Sequence, residues 1–363
     1  LSSGTDKKTP LYDWHVSHGA KMVEFGGWLM PVSYQGVLAE HRAVREACGL
    51  FDISHMGEIF VEGEGSRDFL QSLTTNDVGK LSDGEAQYSL LLNPDGFPLD
   101  DIIVYRYGPR RFMLCVNAAN TDKDFSWIRS RAPAGVELKD ASATLGMIAL
   151  QGPKSPKVLS RMGFDLSQLP RFHFAETDLA GVSLTVSRTG YTGEDGCEFF
   201  LPAGRLLDFW EALSAAGRDE GIQAVGLGAR DTLRLEMGYA LYGHEINESI
   251  QPLEAGLSWV VAWEKGDFVG REALRRRKEE GPVRKMVGLM MEEPGIPRSD
   301  LEVIHKGKAV GKVLSGTFSP TLEKGIATAL VAAEAAVPGG EIFVDIRGKM
   351  KKAKIVKLPF IRK

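Results

Sequence analysis

Two hydrophobic periods run along this chain. Between Gln87 and Val116 the runs YSLLL, FPLDDIIVYRY and FMLCV are separated by NPDG and GPRR, a strand–turn–strand pattern that predicts an antiparallel meander. Around it, apolar residues at three- and four-residue spacing predict helices over 36–49 (GVLAEHRAVREACG), 65–75 (GSRDFLQSLTT) and 119–132 (ANTDKDFSWIRSRA). A second mixed block follows, with strands GMIALQG, VSLTVSRTG and CEFFLP and helices PKSPKVLSRMG and GRLLDFWEALSAAGRDEG. This order predicts an α+β class rather than a doubly wound sheet. From about residue 280 onward the pattern changes to six short strand-like runs between Gly and Pro turns, predicting an all-β domain, sandwich or barrel.

Strand alternation raises the question of acids in apolar runs. In FPLDDIIVY, Asp100 shares a face with Ile102 and Val104, and Asp101 shares the other with Ile103 and Tyr105. Asp100, just after Pro98, reads as a turn-capping acid. Asp101 reads as a carboxylate facing an apolar pocket, a frequent catalytic or cation-binding device. In SRTGYTGEDGCEFFLP, Glu194 and Asp195 read as exposed turn residues, while Glu198 alternates with Phe200 inside a strand and needs a donor such as paired ligand N–H groups. GLGARDTLRLEMGYALYG predicts a helix with a stripe of Leu233, Met237 and Ala240, and with Arg230 and Arg234 one turn apart. Either arginine has two readings: pairing with Asp231 or Glu236, or reaching a carboxylate or ring carbonyl of a ligand.

Composition narrows the function classes. The 363 residues are 43% apolar and 25% charged, ordinary for two to three globular domains, and the net charge of −4 argues against a general nucleic-acid binder. Two basic segments, 271–285 and 349–357, read as the solvated faces of a helix and of an edge strand, or as a docking surface for an acidic protein. Cys48, Cys115 and Cys197 are odd in number and lack a CxxC, which suggests neither disulfides nor zinc and predicts a reducing compartment. No apolar run reaches the roughly 20 residues of a membrane span. The opening LSSGTDKKTPLYDW shows neither a signal-peptide core nor an Arg-rich transit pattern. GLGARD falls short of a dinucleotide fingerprint, and P-loop, G-x-S-x-G and HExxH motifs are missing, so no nucleotide cofactor is expected. His15, His18 and His55 read as satisfied structural histidines, and no metal is expected.

Taken together, TPLYDWHVSHGAKMVEFGGWLMPVSY, LFDISHMGE, DGFPLDDIIVYR, IALQGPKS, TGYTGEDGCE, GLGARDTLRLEMGYALYGHEI, QPLEAGLSWVV, SGTFSPTLEKGIA and KLPF resemble, in order and over nearly the whole chain, the glycine cleavage system T-protein family, the aminomethyltransferases. The resemblance implies three domains in a cloverleaf around a central folate pocket. These are a discontinuous folate-binding domain (1–54 with 143–270), an inserted domain (55–142) and a C-terminal β-barrel-like domain (280–363). It also implies a reaction: the aminomethyl group carried on the lipoyl arm of the H-protein passes to tetrahydrofolate, giving methylene-tetrahydrofolate, ammonia and dihydrolipoyl H-protein.

By the same resemblance Asp101 matches the catalytic aspartate, Glu198 the pterin-binding glutamate and Arg230 a ligand-contacting arginine. Tyr88, Tyr105, Tyr191 and Tyr239 become ring-packing or tail-contacting residues, and 271–285 becomes part of the H-protein surface. Neither nucleic acid nor membrane is a partner in this reading. The compartment is the cytoplasm for a bacterial chain, or the mitochondrial matrix for a processed eukaryotic one. Two departures, DGFPLDD in place of a Gly-Gly turn and LEKGIATALV, affect local loop shape. The rival readings are a folate-dependent demethylase domain of the sarcosine or dimethylglycine type and a folate-binding protein of the superfamily without transferase activity.

Overall fold

Alternating runs become strands because one face of each finds an apolar partner layer, and the computed structural model describes where those layers close, over residues 6–363. The first five residues, part of the opening stretch read above, lie outside the described residues. The described residues fall into two compact units. One comprises the described residues up to Gln71 together with Asp77–Tyr88 and Ile102–Arg230; the other comprises Ser72–Asn76, Ser89–Asp101 and Asp231–Lys363.

The first unit contains a six-stranded sheet in the order Phe174–Leu179, Val182–Ser187, Gly196–Pro202, Leu145–Gln151, Cys48–Asp52, Ile222–Ala224. Its central strands are buried almost throughout. Along Gly196–Pro202 the alternation sends Cys197, Phe199 and Leu201 into a core shared with Val158 and Leu159 of helix Ser155–Arg161 and with Phe209 and Trp210 of helix Leu206–Ala216. Each such fully buried side chain stabilises by about 1.5–3 kcal/mol relative to exposure. Glu198 and Phe200 therefore face the opposite side.

A five-stranded sheet has the order Glu85–Leu92, Pro98–Gly108, Arg111–Val116, Gly57–Gly63, Val136–Asp140. In the first unit this sheet meets the far face of the six-stranded one. Tyr105 packs edge-on between Phe174 and Phe200, with ring centroids 5.4 and 5.3 Å apart, and Tyr107 lies 4.5 Å from Phe174.

In the second unit the six C-terminal runs become Arg284–Met291, Glu302–His305, Lys308–Ser319, Lys324–Ala332, Glu341–Ile346 and Lys349–Val356, which close into a barrel. The predicted all-β tail is thus a barrel around Leu289, Val303, Ala329, Val331, Ile342, Val344 and Ala353. Lys349–Val356 is not an edge strand: it pairs with Arg284–Met291 on one side and with Glu341–Ile346 on the other, since closure removes edges.

Two helix expectations change. The pattern over 36–49 is helical only over Val37–Glu46, and Cys48–Asp52 is a wholly buried strand. A Cβ on Gly49 would lie 2.5 Å from Val44 and 2.6 Å from Val225, so that crossing tolerates only glycine. The helix with the two arginines spans Leu227–Glu236 and ends before Gly238, whose φ of 66° is left-handed. Met237 and Ala240 therefore lie outside it, half-buried, and the buried stripe is Ala229 with Leu233.

Candidate functional site

Of the residues singled out from sequence, Glu198, Arg230, Tyr88, Tyr105 and Tyr191 belong to the first unit, and Asp101 and Tyr239 to the second. Glu198 is 7% exposed. Its Oε2 accepts a hydrogen bond from Thr189 Oγ1 at 2.5 Å, while none of the described residues donates to Oε1. Burial pushes the Glu198 carboxyl up; the Thr189 hydrogen bond and the positive charge of Arg230 oppose that. Arg230, half-buried, lies with its guanidinium 4.7 Å from the ring centroid of Tyr191. A carboxyl with one open oxygen beside a stacked guanidinium suits a planar ligand carrying both N–H donors and acceptors.

Tyr105 is placed differently from a ligand-packing ring. It has no exposure, its ring is enclosed by Phe174 and Phe200, and its hydroxyl lies 3.4 Å from Thr189 Oγ1. Its hydroxyl thus borders Thr189, the donor to Glu198. Tyr88 is half-buried on strand Glu85–Leu92, and Tyr239 is 38% exposed just beyond helix Leu227–Glu236.

In the second unit, the hairpin segment Ser89–Asp101 is held at its tip. Asn93 caps its own turn, accepting from Phe97 N at 3.0 Å, and a Cβ on Gly96 would come within 3.2 Å of Leu274 on helix Arg271–Glu280. Tyr242 Oη donates to the Pro98 carbonyl at 3.4 Å, and Gln251 Nε2 to that of Asp95 at 3.3 Å. The strand begins at Pro98, so Asp100 is a strand residue with no exposure rather than a turn acid, and its side is the core side of Ile102 and Val104. Asp101, on the other face, is half-buried.

Several polar residues differ from the sequence reading. Glu194 is no exposed turn residue: it pairs with Arg45 at 2.8 Å, both side chains 7% exposed, whereas Asp195 meets Arg188 and Arg171 nearer the surface. His15 is satisfied between Asp52 and Tyr34, at 2.9 and 2.8 Å, and His18 bonds the Trp14 carbonyl. His55 is satisfied only in part: it is 3% exposed, its enclosed Nδ1 has no hydrogen-bond partner among the described residues, and it is pushed down to about 4 by burial and by Arg230. GLGARD does follow a short strand, but the amide of Gly226 is taken by Glu40 Oε2 at 2.8 Å, and a Cβ there would lie 2.4 Å from the Val32 carbonyl. No phosphate cradle results. Thr189 and Ser187, which complete the Glu198 environment, carried no sequence signal beyond lying in a Gly-rich connection.

Among the described residues, no three His, Cys, Asp or Glu side chains group so as to hold a metal ion, and no helix is long and apolar enough to cross a membrane.

Comparison with known proteins identifies this arrangement. Residues 11–265 match the family model described as the GCVT N-terminal domain, and residues 284–361 match the glycine cleavage T-protein C-terminal barrel domain. The aminomethyltransferase of Chlorobium phaeovibrioides is 50% identical over 361 residues, covering 98% of this chain and 99% of that protein. That of Geobacillus kaustophilus is 50% identical over 360 residues, with 98% and 99% covered. The crystal structure of the glycine cleavage system aminomethyltransferase T from Bartonella henselae superposes with a TM-score of 0.93 at 37% identity, covering 98% of both chains. On this full-length similarity the chain belongs to the glycine cleavage T-protein family, the aminomethyltransferases.

Proposed function

We propose that this aminomethyltransferase takes the aminomethyl group from the dihydrolipoyl arm of an H-protein and delivers its carbon to tetrahydrofolate. The C–S bond breaks and the dihydrolipoyl thiolate leaves, giving an iminium-like cation; a folate nitrogen adds to it, ammonia departs, and a second folate nitrogen closes the methylene bridge. The observation that carries this reading is Glu198, buried yet with one carboxyl oxygen unengaged, beside Arg230 stacked on Tyr191.

In this reading Glu198 accepts paired N–H bonds from the amino-pyrimidine edge of the pterin, and Arg230 meets an acceptor of the same ligand. Tyr88, Tyr191 and Tyr239 are ring or tail contacts, and Tyr105 contributes through its hydroxyl. Asp101 is the catalytic carboxylate, stabilising the cation and orienting the attacking amine. The three-domain division into 1–54 with 143–270, 55–142 and 280–363 belongs to the same reading. So does H-protein docking on 271–285, where Arg275 is already paired with Glu272 and Glu279, leaving a weaker net field than the sequence suggests.

The test supplies aminomethylated H-protein and tetrahydrofolate and measures ammonia and methylene-tetrahydrofolate. Absence of turnover, where a known family member works, overturns the proposal. Asp101→Asn is expected to lower turnover by on the order of 10²–10⁴-fold with tetrahydrofolate affinity retained. Wild-type turnover in that variant removes Asp101 from the chemistry.

A further inference from the structure

Ser187 lies directly opposite Glu198 across the pair of strands Val182–Ser187 and Gly196–Pro202, and Thr189 follows just past the strand end. Thr189 Oγ1 is the hub of three contacts: Glu198 Oε2 at 2.5 Å, Ser187 Oγ at 2.9 Å and Tyr105 Oη at 3.4 Å. Thr189, Ser187 and Tyr105 are all buried. We propose that Thr189, backed by Ser187 and Tyr105, is a positioning residue that sets the Glu198 carboxyl for ligand capture by hydrogen-bonding its Oε2.

A threonine hydroxyl has one hydrogen to give and two lone pairs to receive with. When Glu198 is ionised, Thr189 gives its one hydrogen to the carboxylate, and Tyr105 is the neighbour able to donate into the Thr189 oxygen. When Glu198 is protonated, its O–H donates to Thr189, whose hydrogen turns to Ser187.

The cluster opposes the penalty that burial places on the ionised acid. Other groups facing Glu198 are Arg230 from helix Leu227–Glu236, which acts in the same sense, and Tyr105 from strand Pro98–Gly108. Cys115, on the adjacent strand Arg111–Val116, faces Tyr105, and His55 faces Arg230 from the connection after Cys48–Asp52. Of these, only Thr189 hydrogen-bonds the carboxyl. The inference rests on the reading that Glu198 receives the folate edge.

The test is the dissociation constant of tetrahydrofolate against pH for wild type, Thr189→Val, Thr189→Ser, Tyr105→Phe and Glu198→Gln, with circular dichroism to confirm folding. Removing the Thr189 donor raises the carboxyl's pKa, so the acid limb of the Thr189→Val profile is expected to move up by about one pH unit, with roughly tenfold weaker binding below the limb and convergence with wild type above it. Thr189→Ser should restore the wild-type profile, and Tyr105→Phe should shift it in the same direction by less. A Thr189→Val profile that overlays wild type, or is weakened equally at every pH, overturns the inference. If that variant does not fold, an unshifted limb in Tyr105→Phe does so instead. Wild-type binding by Glu198→Gln at all pH values removes Glu198 from the folate site and the Thr189 positioning role with it, whereas weakened binding there with an unshifted Thr189→Val limb sinks the positioning role alone.

Discussion

The polar interiors of the two units solve the same problem in opposite ways. In the second unit, Arg234 reaches Asp231 Oδ1, the Tyr239 carbonyl, Glu245 and Ser315, and Glu245 also accepts from Leu241 N and Thr328. Glu236 nearby takes Ser319 and both the amide and hydroxyl of Thr321. In the first unit, between its two sheets, Glu198 has a single donor, and Glu58, 1% exposed on strand Gly57–Gly63, has none on either oxygen. The Glu245 carboxyl is accordingly held below its usual range despite burial, by Arg234 and hydrogen bonds, whereas burial pushes Glu58 up to about 8. A saturated network fixes backbone segments to one another. An unsaturated acid costs stability and leaves valence for something else.

The sharpest way to break this contrast is Arg234→Met. It leaves Glu245 buried without its cation and is expected to cost about 3–5 kcal/mol in urea unfolding. A cost below about 1 kcal/mol would mean that the network is not what holds the segment.

Glu58→Met should do the reverse. An acid whose folded pKa lies above its unfolded value contributes nothing below the unfolded value, and it destabilises progressively as pH rises toward the folded one. For Glu58 that window runs from about 4.5 to about 8. The variant is therefore expected to match wild type near pH 4 and to exceed it by up to about 3 kcal/mol at pH 7, read from denaturation midpoints across pH. A constant offset at all pH values would show that packing, not ionisation, distinguishes them.

Glu194→Gln weakens a mostly buried pair with Arg45 and should cost about 1–3 kcal/mol. Charge reversal at Arg275 and Arg276 lies at the bottom of the scale. Among the described residues Arg275 pairs with exposed Glu272 and Glu279 one helical turn away, so the melting temperature should not move measurably, while salt-dependent affinity for H-protein should fall if that helix is part of the docking surface.

Much of the fold was legible because periodicity is local. The strands around YSLLL, DDIIVYRY and FMLCV, the six barrel strands and most of the helices stand where their patterns lie. Alternation also separated Asp100 from Asp101 correctly by face. It misjudged depth, because whether a strand begins before or after an acid depends on the turn, and here Pro98 is already in the strand. In the candidate site, Glu198 was legible as an inward acid. Thr189 was not, since a threonine in a Gly-rich connection looks the same whether it faces solvent or a carboxylate.

What the sequence by itself determined is which face of each element is apolar, which runs are strands or helices, and, through long ordered motifs, the family. What only the tertiary structure decided is who satisfies whom. Arg45 meets Glu194 across 149 residues, and Glu40 takes the amide of Gly226 across 186. Tyr105 reaches Thr189 across 84, and among the described residues none hydrogen-bonds His55 Nδ1 or the Glu58 carboxyl. Burying apolar surface needs only a periodic pattern, because the hydrophobic effect is non-directional. Pairing a buried polar atom requires a particular group at hydrogen-bond distance and angle, and that is settled only when distant stretches of chain close on one another.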